Sequence, residues 1–313
     1  MFRKIMMLLV VIIGVGLLIQ SDVFSQDADQ MQRLKKRVAV FEFEDKTDHH
    51  YRWWTGQPVG QGMADMLTTE LVKSGKYRVM ERTALEQIMK EQNLGQTGAV
   101  TPQTAAEVGK LLGVELAIIG AVTEFGYKKG DTGINLKQKG LGFGVESSTA
   151  SVGIDVRFTN TTTGEIIAAE NVRKEETKRG LKIDTNKLGF KNQNEFDESV
   201  VGKATRKAVE EIMDKIDSQM KSMPWQAKII KVTGTTVIIN SGAEAGVHVG
   251  DVFAIYSKGE ELIDPDTGLS LGSEDTKIGE IGVTDNNVGN GKASRCVVRS
   301  GSGFEAGNMV RLK

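Results

Sequence analysis

Apolar and polar positions alternate along Arg37-Val-Ala-Val-Phe-Glu-Phe-Glu44, which predicts an opening strand buried at its start, with Phe41 and Phe43 on one face and Glu42 and Glu44 on the other. The period then changes. Val59, Met63, Met66, Leu67 and Leu71 recur at helical spacing, and Lys73-Ser-Gly75 supplies a stop. A short strand follows at Tyr77-Arg-Val-Met80. Thr83 with Glu86 is a capping-box pattern for a helix through Leu85, Ile88 and Met89, and Thr101-Pro102 starts another that carries Val108, Leu111 and Leu112. Val114 to Val122 reads as a continuous apolar strand. Val152, Ile154, Val156 and Phe158 alternate cleanly, and Thr161-Thr-Thr-Gly164 turns that strand into Ile166-Ile-Ala-Ala169 as a hairpin. From Phe196 to Met220 one apolar stripe predicts a single long helix that ends at Met223-Pro224.

This order predicts an α/β (α+β) domain over residues 37–223, a mixed sheet covered by helices. Beyond Trp225 the texture shifts to short strands with frequent glycine and no helical period, so residues 225–313 are expected to form a small all-β, barrel-like domain. That region echoes itself. Ser241-Gly-Ala-Glu-Ala-Gly246 and Ser302-Gly-Phe-Glu-Ala-Gly307 each precede a strand start, as equivalent corners of a barrel would.

Charge and cysteine usage narrow the setting. Forty basic and 41 acidic residues leave a net charge of −1, which removes bulk attraction to nucleic acid. Arg3 and Lys4 precede an uncharged apolar run from Ile5 to Ile19, and Val23 and Ser25 suit a cleavage site, so residues 1–25 read as a signal peptide and 26–36 as a linker. The run is shorter than the ~20 residues that a spanning helix needs. Cys296 is the only cysteine. The expectation is therefore an exported, periplasmic protein with neither a disulfide nor a lipid-bearing cysteine after the signal.

No catalytic, cofactor or metal set stands out, and the chain is expected not to be an enzyme. Gly140-Leu-Gly142-Phe-Gly144 lacks the third glycine of a dinucleotide fingerprint, and Gly289-Asn-Gly291-Lys292 lacks the first glycine of a P-loop. His49 and His50 are adjacent in a loop, His248 is alone in a turn, and Asp264-Pro-Asp266-Thr-Gly268 lacks the closing Glu of a calcium loop. The aromatic loop Tyr51, Arg52, Trp53 and Trp54 has the residue types of an interface anchor, with a loop tucked over the core as the equal alternative.

Arg37-Val-Ala-Val-Phe-Glu-Phe43, Gly62-Met-Ala-Asp-Met-Leu67, Tyr77-Arg-Val-Met-Glu-Arg82, Ala106-Glu-Val-Gly-Lys-Leu-Leu-Gly113, Ile118-Ile-Gly-Ala121 and Thr162-Thr-Gly-Glu-Ile166 together resemble the CsgG family, the curli production assembly and transport component. The turn Gly246-Val-His-Val-Gly-Asp251 is similar to the C-terminal domain of flagellar assembly protein T. The CsgG resemblance implies a periplasmic α/β domain, a homo-oligomeric ring, outer-membrane association and exported protein subunits or envelope proteins as partners. It also implies two inserted hairpins, here residues 126–150 and 172–196, that join a membrane barrel. Their apolar candidates are Ile134, Leu136, Leu141, Phe143 and Val145 in the first, and Leu181, Ile183, Leu188 and Phe190 in the second. A lipid-facing strand needs ~9–11 residues with an apolar outward face, and each Lys or Arg at mid-bilayer costs about 2–4 kcal/mol. Arg173, Lys174, Lys178 and Arg179 therefore favour water or a protein partner, which keeps a soluble scaffold or ring without a pore as the alternative.

Overall fold

Val38, Ala39 and Val40 are buried on both sides, as the apolar opening run requires, and form β1 (Lys36–Val40). A computed structural model describes residues 30–31, 33–48, 52–53, 56–80, 113–128, 147–161, 163–179, 190–265 and 270–313. They fall into two units, Arg37–Met223 and a second made of Pro224–Lys313 with the segment that ends at Lys36.

In the first unit β1 runs parallel to β4 (Leu116–Lys128), with Val38 opposite Leu116. β2 (Glu44–Asp45) continues along the same neighbour, Glu44 opposite Ala121. Between them four steps of one strand meet three of the other, because Val40 faces Ile118 and Glu44 faces Ala121. The extra residue reverses the alternation. Phe41 joins Ala39, Ala117 and Ile119 in one cluster, whereas Phe43 joins the main core with Met63 and Leu67. The expectation that the two phenylalanines share a face is thus corrected.

The sheet continues antiparallel through β5 (Ser147–Asn160) to β6 (Ile166–Arg179), while β3 (Tyr77–Met80) flanks β1 on the other side. It is a mixed sheet, as expected, but its strands are longer than the apolar runs. β4, β5 and β6 have 13, 14 and 14 residues, so Lys128, Ser147 and Arg179 are still in strand. Helix α1 (Val59–Ser74) covers the sheet with Met63, Leu67 and Leu71, and Gly75 ends it where the sequence pattern places the stop. The predicted long helix is two. Gln193–Glu198 forms α2, and Ser199 leaves helical geometry and accepts a hydrogen bond from the N–H of Gly202, capping α3 (Val200–Ser222). Val201, Ala204, Ala208, Ile212, Ile216 and Met220 make the buried stripe of α3. The helices expected from Thr83 and Thr101 lie outside the described residues.

The second unit is a closed six-stranded barrel. It is built from β7 (Gln226–Thr233), β8 (Thr236–Ile239), β9 (Val252–Ser257), β12 (Thr276–Val288), β13 (Ala293–Gly301) and β14 (Met309–Leu312). Closure leaves these strands without a free edge. The two echoed turns lead into β9 and β14, which pair with each other. Between β9 and β12 a two-stranded ribbon, β10 (Glu261–Ile263) with β11 (Ser270–Ser273), grows out of the barrel.

Residues just ahead of β1 belong to this barrel. Leu34 is buried among Trp225, Val247 and Phe253. The N–H of Lys35 donates to Ala245 O at 3.0 Å, and Arg33 donates to Gly246 O at 2.6 Å and pairs with Asp251 at 2.8 Å. Gly246 is needed twice over. Its φ is +79°, and a Cβ there would stand 2.0 Å from the carbonyl oxygen of Arg33. The part of the 26–36 segment that is described is therefore barrel structure at the opposite end of the sequence. Leu34→Ala is expected to destabilise the barrel by about 2–4 kcal/mol through the cavity it leaves, read as faster amide exchange throughout β9 and β14. Unchanged exchange there would show that Leu34 does not contribute to the barrel core.

Candidate functional site

The end of the sheet at which β4 stops, β5 starts and β6 stops is where the chain departs twice, after Lys128 and after Arg179. Lys128 pairs with Thr149 and Ser147 pairs with Arg179, so both departures lie at adjacent strand ends. The second return is also fixed. Phe190 packs edge-on against Phe196 of α2, ring centres 5.1 Å apart.

An aromatic cluster seats this end. Trp53 is 6% exposed, with its ring centre 4.7 Å from Phe196 and 5.9 Å from Phe125 on β4. Its loop is closed by hydrogen bonds from Trp53 N–H to Gln57 O at 2.8 Å and from Gly56 N–H to Trp53 O at 2.9 Å. Gly62 of α1 lets the indole approach, since a Cβ would come within 2.5 Å of the ring. Arg52 is exposed and donates to Gly56 O at 3.0 Å. Of the aromatic loop, then, Trp53 is a core residue and Arg52 a surface one, while Tyr51 and Trp54 lie outside the described residues.

Tyr127, near the end of β4, carries the other tie. Burial holds its hydroxyl above the ordinary tyrosine pKa, although contacts to Ser199 and to the backbone of Val201 and Val200 act in the opposite sense. The cap of α3 and the base of the first departure are thereby joined. The sequence reading missed Tyr127 and Ser199; the signal was the serine just ahead of Val200-Val201, an N-cap position hidden inside an unbroken apolar stripe.

Charge on β6 is matched within the unit from Glu170 to Glu176. On the side facing α3, Glu170 pairs with Lys215 at 2.9 Å, Lys174 with Glu211, and Glu176 with Lys207. On the other side Arg173 meets Glu124 at 3.1 Å and Glu175 at 3.4 Å. These are half-exposed pairs that specify register more than they stabilise. Ile134, Leu136, Leu141, Phe143, Val145, Leu181, Ile183 and Leu188 lie outside the described residues; among the hairpin candidates Phe190 alone is described, half-buried against the core.

Among the described residues no group of three or more His, Cys, Asp or Glu side chains could hold a metal ion, and no helix is long and apolar enough to cross a membrane. Cys296 is buried in the barrel, and that burial pushes its thiol up to about 12. The thiolate is the reactive form, so maleimide is expected to leave Cys296 unlabelled in the folded protein at pH 7–8 and to label it on unfolding. Rapid native labelling would contradict this burial.

The sequence model of the family described as "Curli production assembly/transport component CsgG" matches residues 20–237. No curated protein matches the chain. Among solved structures, the hypothetical protein CT253 from Chlamydia trachomatis is 16% identical, with 59% of this chain and 96% of that one covered and a TM-score of 0.40. Lipoprotein GNA1162 from Neisseria meningitidis is 12% identical over 60% of this chain and 99% of that one, with a TM-score of 0.32. PelC from Paraburkholderia phytofirmans, solved as a dodecamer, is 13% identical over 57% and 86%, with a TM-score of 0.28.

Proposed function

We propose that this chain, which belongs to the CsgG family, is an exported component of envelope assembly and secretion that works as a homo-oligomeric ring in the periplasm, associated with the outer membrane. In this reading it handles exported protein subunits and catalyses no reaction. The observation that carries it is the common origin of the two departures at one end of the sheet, braced by Trp53, Phe125, Phe196 and Tyr127. Two segments that leave one end of a rigid sheet at adjacent strands can meet those of the next copy, and a head-to-tail contact repeated with rotation closes into a ring. Export of unfolded subunits through such a ring is the finer form of the proposal.

One observation favours the second reading, a soluble scaffold ring without a pore. β6 is charged to its last residues, and from Arg173 to Glu176 the charges are met by α3 and β4, so the stem of the second segment is built for water. Fractionation after a carbonate wash, paired with conductance in planar bilayers, separates the readings. Protein retained in washed outer membranes and conducting supports the channel; washed-out rings that never conduct support the scaffold. A mature chain that stays monomeric at micromolar concentration, with and without detergent, overturns both.

A further inference from the structure

The barrel carries two exposed apolar patches set in opposite charge. The first is the ribbon β10–β11, where Leu262, Ile263 and Leu271 are 48%, 52% and 58% exposed. From Gly259 to Asp275 the sequence holds six acidic residues and no basic one. Asp275 is engaged by Arg311, whereas Glu260 and Glu274 stand exposed at the base of the ribbon. A two-stranded ribbon is marginally stable in water, and among the described residues no layer covers its three large apolar side chains.

The second patch is the outer wall of β7, β8 and β13, where Ile230 is 52% and Val297 40% exposed. Strand register places Lys231 beside Ile238 and Ile238 beside Arg295, in one row across the wall. Lys228 and Arg299 are exposed on the same strands, and Asp285 offsets Arg295 from 3.4 Å. The apolar centre of the wall is flanked by cations, whereas the base of the ribbon carries Glu260 and Glu274, with the exposed cation Lys258 beside them.

We propose that the ribbon of one copy docks on the β7–β8–β13 wall of a second copy of this chain. Each patch has apolar area to cover and the charge that the other needs. Ribbon on ribbon would set carboxylate against carboxylate, and wall on wall would set cation against cation, so charge disfavours a two-fold dimer and selects the unlike pairing. The ribbon stands outside the barrel strands that form the wall, so every docked copy still offers a free patch, and the contact propagates head to tail. The inference is compatible with the proposed ring but rests on the barrel alone.

The test uses the full mature chain. Lys228→Glu with Lys231→Glu makes an acidic wall, and Glu260→Lys with Glu274→Lys makes a basic ribbon. In sedimentation at low salt each reversed chain is expected to associate at least about tenfold more weakly than the unmodified protein, while an equimolar mixture of the two recovers association, because acidic wall then meets basic ribbon. Independently, a chain with Leu271→Cys mixed with one carrying Ile230→Cys is expected to give a bis-maleimide cross-linked dimer that neither gives alone. An unmodified chain whose association is indifferent to both reversals, with no mixed cross-link, overturns the barrel contact and leaves the ring through the α/β unit standing. A strictly monomeric unmodified chain overturns both.

Discussion

Trp53→Ala is expected to lower the unfolding free energy of the Arg37–Met223 unit by about 3–5 kcal/mol, the range for removing a buried aromatic ring from a core. The ring contacts two others that come from distant parts of the chain, Phe125 of β4 and Phe196 of α2, and α1 carries glycine where the indole approaches. Truncation therefore opens a cavity bounded by three elements, which cannot collapse onto it without moving the sheet. Trp53→Phe should recover part of the loss, and Arg52→Ala, an exposed neighbour, should stay within about 0.5 kcal/mol. Urea unfolding midpoints at constant slope measure all three. A Trp53→Ala protein of unchanged midpoint that had lost only self-association would return the residue to the interface role that its sequence context equally allows.

The ambiguity at residues 51–54 shows where reading the sequence runs out. Tryptophan and arginine at a loop tip have the composition of an interface anchor, and only the opposing partners, Phe125 and Phe196, decide that one member points inward. Local periodicity found the strands and helices that are amphipathic over several turns, as in α1 and α3. It failed wherever the side-chain pattern follows something other than burial. β6 runs on through Arg173–Arg179 because its backbone pairs with β5 to the last residue, while Lys174 and Glu176 meet charged partners on α3 in place of apolar ones. Phe41 and Phe43 part company because one extra residue enters the strand, a change invisible in the alternation itself. Leu34 resembles linker because its partners, Trp225 and Phe253, lie 191 and 219 residues away.

Removing residues 129–146 is expected to leave the α/β unit folded while weakening self-association of the mature protein at least about tenfold. The stem supports this cut. Lys128 is paired with Thr149, so joining Lys128 to Ser147 through Asn-Gly leaves four residues between paired positions, a common hairpin length. Loop-closure entropy changes by only about 1 kcal/mol, in favour of the shorter loop. Phe125 and Tyr127, which seat this end of the sheet on Trp53 and on the cap of α3, are untouched. The melting curve should therefore hold, whereas mass photometry should show small species at concentrations where the full chain assembles. Washed membranes should retain less of the shortened protein, and bilayer conductance, where the full chain shows it, should disappear. The ribbon and wall of the barrel are unaltered, so any association that persists and responds to Lys228→Glu with Lys231→Glu belongs to them. A shortened chain that assembles and conducts like the full one would remove residues 129–146 from the ring contact and with them the main support for the channel reading.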